Sequence, residues 1–101
     1  MPLSRHQIKR LRAEGHRLKL KPVVIIGQKG FSENLHDEIQ RALKDHELIK
    51  LRIPAGSKTE KREMSESLCT HHDAELVEAI GNIIVLYRQN SDTNRFKNIT
   101  E

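Results

Sequence analysis

Apolar residues recur at helical spacing in some stretches of the chain and at strand spacing in others, with proline, glycine and serine at most of the changeovers. Leu3 and Ser4 open the first element, and Gln7 follows Ser4 by three residues in the arrangement of a capping box. The pattern predicts a helix from Arg5 to Lys19. At about 100° per residue, Ile8, Leu11, Gly15 and Leu18 fall within an arc of about 80°, which is the core face. Arg5, Lys9, Arg12, His16 and Lys19 form a second arc beside it, so a basic stripe borders the buried face instead of opposing it.

Lys21-Pro22 ends this helix, because proline disfavours the helical region for the residue before it. Val23 to Ile26 has no polar side and predicts a strand buried on both faces. Gly27-Gln28-Lys29-Gly30 predicts a tight turn, and Ser32 is placed to cap a second helix through Leu35, Ile39, Ala42 and Leu43. Leu48 to Ile53 alternates, with Ile49, Leu51 and Ile53 on one face and Lys50 and Arg52 on the other, as in a half-buried strand. After a loop over Pro54 to Ser57, a third helix over Lys58 to His72 has only Met64, Leu68 and Cys69 as its apolar stripe. Glu75 to Ile80 and Ile83 to Arg88 are two strands about a Gly81-Asn82 turn.

Residues 89–101, from Gln89 to Glu101, are polar and aperiodic and are expected to form a frayed, flexible tail behind a domain of residues 1–88. The order α-β-α-β-α-β-β, without internal repeat or linker, predicts one α/β domain on a four-stranded mixed sheet with packed helices.

Charge changes this picture more than length does. The 101 residues carry 18 Lys plus Arg against 14 Asp plus Glu, a net charge of +4. Residues 1–31 hold eight bases (Arg5, Lys9, Arg10, Arg12, Arg17, Lys19, Lys21, Lys29) against the one acid Glu14, net +7; the rest is net −3. A strongly basic first third on an otherwise ordinary domain points to a polyanion. The aromatic residues are only Phe31, Tyr87 and Phe96, too few for a platform that stacks splayed bases. Apolar runs such as Val23 to Ile26 are far short of the ~18 residues of a membrane span. With no secretory h-region at the N-terminus and a lone Cys69, the chain is expected in the cytoplasm, as a monomer with no membrane partner.

Candidate chemistry concentrates at the glycine turn. A Gly-x-x-Gly between a buried strand and a helix start suits a phosphate, because glycines admit a close sugar-phosphate backbone and the helix start offers free N–H groups. As a bare pattern it equally describes a turn needing glycine for its dihedral angles. The stripe has a similar bland reading as a solvated face, but it lacks the interspersed acids that would relieve its self-repulsion. Lys50 and Arg52 extend the basic surface or snorkel at a sheet edge.

Cys69, His71, His72 and Asp73 cluster at a helix end, but with no second Cys or His pair at ligand spacing no metal or other cofactor is expected. The histidines there suit the helix dipole, and Cys69 suits the core. Glu33, Asp37 and Glu38 are accounted for by the start of the second helix. There is no Gly-x-Ser-x-Gly elbow, and Lys29 is followed by Gly30 and Phe31, which breaks a Walker sequence.

Taken together, these stretches resemble the CRM domain in its stand-alone bacterial, YhbY-type form. The resemblance rests on Leu3-Ser4 with Gln7, on Leu20-Lys21-Pro22-Val23-Val24 leading into Gly27-Gln28-Lys29-Gly30, and on Glu38 and Glu47-Leu48-Ile49-Lys50. It continues through Ala74-Glu75-Leu76-Val77, Ile80-Gly81 and Val85-Leu86-Tyr87-Arg88. The resemblance implies a fold similar to the C-terminal domain of translation initiation factor three, an RNA-binding role and association with precursors of the large ribosomal subunit. It also implies that Gly27 to Gly30 is an RNA contact similar to the loop of KH domains. Ser4 and Ser32 stand where the family usually has threonine, and Gly15 where alanine is typical.

The leading expectation is a non-catalytic RNA-binding protein whose contacts are Gly27, Gln28, Lys29 and Gly30 together with Arg5, Lys9, Arg12, Lys19 and Lys21, reading structured RNA by shape and phosphates. Two alternatives use the same features: a small phosphate- or nucleotide-handling enzyme, and a module that binds an acidic protein.

Overall fold

A computed structural model describes residues 3–27 and 31–101. In chain order its elements are α1 (Arg5–Arg17), β1 (Pro22–Ile25), α2 (Glu33–His46), β2 (Leu48–Arg52), α3 (Lys58–His72), β3 (Glu75–Ile80), β4 (Ile83–Tyr87) and a single turn, α4 (Lys97–Thr100). Serine hydroxyls start three of the helices. Ser4 Oγ accepts the Gln7 N–H at 3.1 Å while Gln7 Oε1 accepts the Ser4 N–H at 2.8 Å. Ser57 and Glu60 make the same reciprocal pair, and Ser32 Oγ accepts the Leu35 N–H at 3.2 Å.

The sheet has the order β1-β2-β4-β3, with β1 parallel to β2 and the other neighbours antiparallel, so it is four-stranded and mixed as expected. Strand alternation divides the core in two. Ile49, Leu51 and Ile53 join Val24, Ile26, Ile84 and Leu86 in a cluster with Ile39 and Leu43 of α2 and Leu68 of α3. On the other face Leu48, Val77, Val85 and Tyr87 pack with Leu11 of α1 and with Phe96 and Ile99 from the C-terminus. A leucine or isoleucine as fully buried as Leu11, Ile39 or Leu51 stabilises the fold by roughly 1.5–3 kcal/mol.

Three elements differ from the sequence expectation. First, α1 stops at Arg17 instead of Lys19. Lys19 takes φ 53°, its N–H reaches the His16 carbonyl at 3.1 Å, and the Leu20 N–H reaches the Gly15 carbonyl at 3.3 Å. This is a Schellman ending with lysine in the left-handed position usually held by glycine. Leu18, assigned to the core face, becomes the cap residue and is 45% exposed.

Second, β1 is buried on one face only. Val24 and Ile26 are buried, whereas Val23 is 50% and Ile25 67% exposed. As an edge strand, β1 has α2 on one face; α1 and the C-terminal segment form their buried core on the other face with β2, β3 and β4.

Third, residues 89–101 do not fray. Phe96 and Ile99 are buried, and the Phe96 ring meets Tyr87 edge-on with centroids 6.0 Å apart. The fully buried Glu47, at φ 64°, holds the segment in place. Its carboxylate accepts the Asn90 N–H at 3.2 Å, the Thr93 hydroxyl at 2.6 Å and the Arg95 N–H at 2.8 Å, and its carbonyl accepts the Arg88 N–H at 2.9 Å. Gln7 Nε2 donates to the Thr100 carbonyl at 3.1 Å, tying the end of the chain to α1.

Candidate nucleic-acid interface

The basic face of α1 follows from what the helix buries. Leu11 and Gly15 are its buried residues. A Cβ at Gly15 would stand 3.5 Å from Leu20 Cδ1 and 3.7 Å from Leu48 Cδ2, so the helix lies close against β2 and the chain that leaves it. With that side fixed, Arg5, Lys9 and Arg12 are exposed.

Not all of the positive charge of α1 is available. The ion pairs among the described residues are Arg17 with Glu14 and His16 with Glu78. Arg17 Nε donates to Glu14 Oε1 at 2.9 Å, and that hydrogen bond holds the Glu14 carboxyl below its usual range. His16 Nε2 lies 2.9 and 3.2 Å from the two Glu78 oxygens, which turns the middle of the expected stripe toward β3. Neither pair involves Arg5, Lys9, Arg12, Lys19 or Lys21. Cations left without carboxylates on a well-ordered helix are suited to a polyanion that neutralises several at once.

Lys19 and Lys21 are exposed in the bend between α1 and β1, and Gly27 is exposed at the other end of β1. The Ile26 N–H donates to the Arg52 carbonyl at 2.8 Å, so the backbone stays tied to β2 up to the residue before Gly27. Gly27 is six positions beyond Lys21, about 20 Å of extended chain at ~3.3 Å per residue. Among the described residues, the expected contacts do not converge on one point: Arg5, Lys9 and Arg12 lie on α1, Lys19 and Lys21 in the bend after it, and Gly27 at the far end of β1. A Cβ at Gly27 would have no heavy atom of the described residues within 4 Å. Gln28, Lys29 and Gly30, the remainder of the expected loop, lie outside the described residues.

Sequence reasoning missed the exposed side of β1. Ile25 pairs with Arg52 and Pro22 with Lys50, so apolar Val23 and Ile25 sit beside two basic side chains on one sheet face. Below them a groove of about 510 Å³ is floored by Leu18, Leu20, Val23, Leu48 and Phe96, with Lys21, Lys50, His46 and Arg95 as its ionisable lining. Every ionisable group there is basic. The signal in the sequence was the alternation of Lys50 and Arg52 alone; Arg95 comes from a segment read as a tail.

A family model described as the CRS1 / YhbY (CRM) domain matches residues 3–88. A Pseudomonas aeruginosa protein named a probable RNA-binding protein is 36% identical over 95 residues, covering 94% of this chain and 89% of that one. The Bacillus subtilis protein YqeI, also named a probable RNA-binding protein, is 30% identical over 95 residues, covering 94% and 97%. Among solved structures, a hypothetical Staphylococcus aureus protein described as a candidate RNA binder superposes with a TM-score of 0.76 at 34% identity, covering 88% of this chain and 91% of its own.

Proposed function

The chain belongs to the CRS1/YhbY (CRM) domain family, and from that premise we propose that it is a non-catalytic RNA-binding protein of the cytoplasm that contacts ribosomal RNA in precursors of the large ribosomal subunit. The observation that carries this reading is the set of exposed α1 cations, Arg5, Lys9 and Arg12, that no ion pair among the described residues uses. Lys19 and Lys21 continue the charge to the edge strand, and Gly27 begins the loop whose main-chain amides meet phosphate. Aromatic scarcity points the same way, to structured RNA held through phosphates and shape and not to splayed bases.

Gly27→Val tests the loop, because the added side chain meets none of the described residues. Thermal stability should be unchanged while affinity for ribosomal RNA fragments falls about tenfold, the equivalent of one lost contact of ~1.4 kcal/mol. Equal affinity would remove the loop from the interface. The assembly role is tested separately by sucrose-gradient sedimentation of extracts: the protein should travel with large-subunit precursors, be released by nuclease, and be absent from them if the proposal is wrong.

A further inference from the structure

On the side of the sheet away from α1, three histidines from two helices meet. His36 stands near the start of α2, and His71 and His72 end α3. His36 Nδ1 lies 3.0 Å from His72 Nε2, and the His36 and His71 rings stack with centroids 3.9 Å apart at 23°. One ring nitrogen from each residue falls within 4.8 Å of the others. His72 is buried, His36 half-buried and His71 exposed, so the cluster has an inner wall and an open mouth. Phe31 packs against His36 at a centroid distance of 5.2 Å, and Arg88 Nη1 donates to the His72 carbonyl at 3.2 Å, which fixes the inner ligand through its main chain.

An imidazole ligates a metal through a ring-nitrogen lone pair, and the meeting of α2 and α3 brings three such nitrogens together. Only one of the two facing nitrogens needs a hydrogen for the 3.0 Å contact, so the arrangement is also a satisfied hydrogen bond. A tetrahedral zinc ion with Zn–N of about 2.0–2.1 Å separates its ligand nitrogens by roughly 3.3 Å, so this pair is already near ligand spacing. His71, being exposed, closes the site by a side-chain rotation.

We propose that His36, His71 and His72 form a binding site for a divalent first-row transition ion of the zinc type, with a fourth position left to water. Three imidazoles and no carboxylate select such an ion over magnesium or calcium, which require oxygen ligands. Bound there, the ion would clamp the first turns of α2, immediately after Phe31, to the end of α3. The inference does not rest on the RNA-binding reading, since the two sites use different faces and different residues.

The test uses the full chain without an affinity tag, stripped with chelator and titrated with zinc chloride. One equivalent should bind, and at a hundredfold excess over Kd the Tm should rise by ~10 °C or more. Cobalt substituted for zinc should give the visible absorption of a tetrahedral centre. His71→Ala, at an exposed position, should leave the metal-free Tm unchanged yet weaken binding at least tenfold, and His36→Gln should do the same from the other helix. His16→Gln and His46→Gln should bind like the parent. Absence of a stoichiometric zinc response, or undiminished binding in both His71→Ala and His36→Gln, would overturn the proposal.

Discussion

The Glu47 carboxylate accepts the Arg95 N–H at 2.8 Å across 48 residues of chain, and through it a segment with only two buried apolar side chains becomes part of the fold. Oε2 is shared with the Thr93 hydroxyl, while Oε1 takes the Asn90 N–H. Glu47→Ala removes all three acceptor contacts at a fully buried position, and donors left unsatisfied there cost about 1–3 kcal/mol each unless the segment detaches. Detachment is the cheaper outcome. A loss of about 3 kcal/mol is expected by denaturant titration, with accelerated proteolysis confined to residues 89–101; wild-type resistance to protease would show that Phe96 and Ile99 hold the segment by themselves.

Lys19 carries a conformational cost at the end of α1. At φ 53° it occupies the left-handed region, disfavoured for a side-chain-bearing residue by roughly 1–2 kcal/mol and free of cost for glycine. Lys19→Gly should therefore raise the stability of the domain by about 0.5–1 kcal/mol while weakening RNA binding. The two effects are read in one preparation, by thermal unfolding and by filter binding. A variant that is more stable and binds equally well would mean that the lysine contributes nothing to the interface.

Much of the fold was legible along the chain because its signals are local. Ser4 with Gln7, Ser32 three residues before Leu35, the Ile49-Leu51-Ile53 alternation and Gly81-Asn82 each declare an element boundary or a face within a few residues. The features that were not legible depend on what lies above a surface. Four consecutive apolar residues at Val23 to Ile26 are compatible with two buried faces, and only the packing of α1 and the C-terminal segment on the other three strands leaves Val23 and Ile25 bare. Phe96 and Ile99 look like isolated apolar residues until Glu47 is known to be buried beneath their segment. Of the candidate interface, the exposure of Arg5, Lys9 and Arg12 follows directly from helical periodicity; the diversion of His16 to Glu78 does not, since β3 lies 62 residues away. His36 beside His72 is likewise a product of α2 and α3 meeting, invisible to any search for ligand spacing along one helix.

At Gly15 the structure has room for a methyl group. The new Cβ would make contacts of 3.5 Å to Leu20 Cδ1 and 3.7 Å to Leu48 Cδ2, ordinary van der Waals distances, at a helical position. Gly15→Ala should stabilise the domain by about 0.5–1 kcal/mol through reduced freedom of the unfolded chain and better helix propensity. Calorimetry should show the higher Tm with RNA affinity unchanged, because Gly15 is buried and its added methyl group meets only Leu20 and Leu48.

Salt dependence distinguishes a phosphate-contacting stripe from a solvated one. Each phosphate neutralised by a protein cation contributes about 0.7–0.9 to the slope of log K against log salt through released counterions. Lys9 and Arg12 are exposed, outside the ion pairs of the described residues and three apart on α1, so one stretch of backbone reaches both. Lys9→Gln with Arg12→Gln should therefore weaken binding to structured ribosomal RNA and lower the slope by about 1.5, with thermal stability unchanged because both side chains are exposed and neither is bonded to another of the described residues. Arg17→Gln is the matched control: its guanidinium is already engaged by Glu14, so its loss should alter the slope by less than either substitution in the stripe. A double variant with the parental slope would show that the stripe faces solvent in the complex, and would move the RNA contact to the Lys19–Lys21 bend and the edge strand.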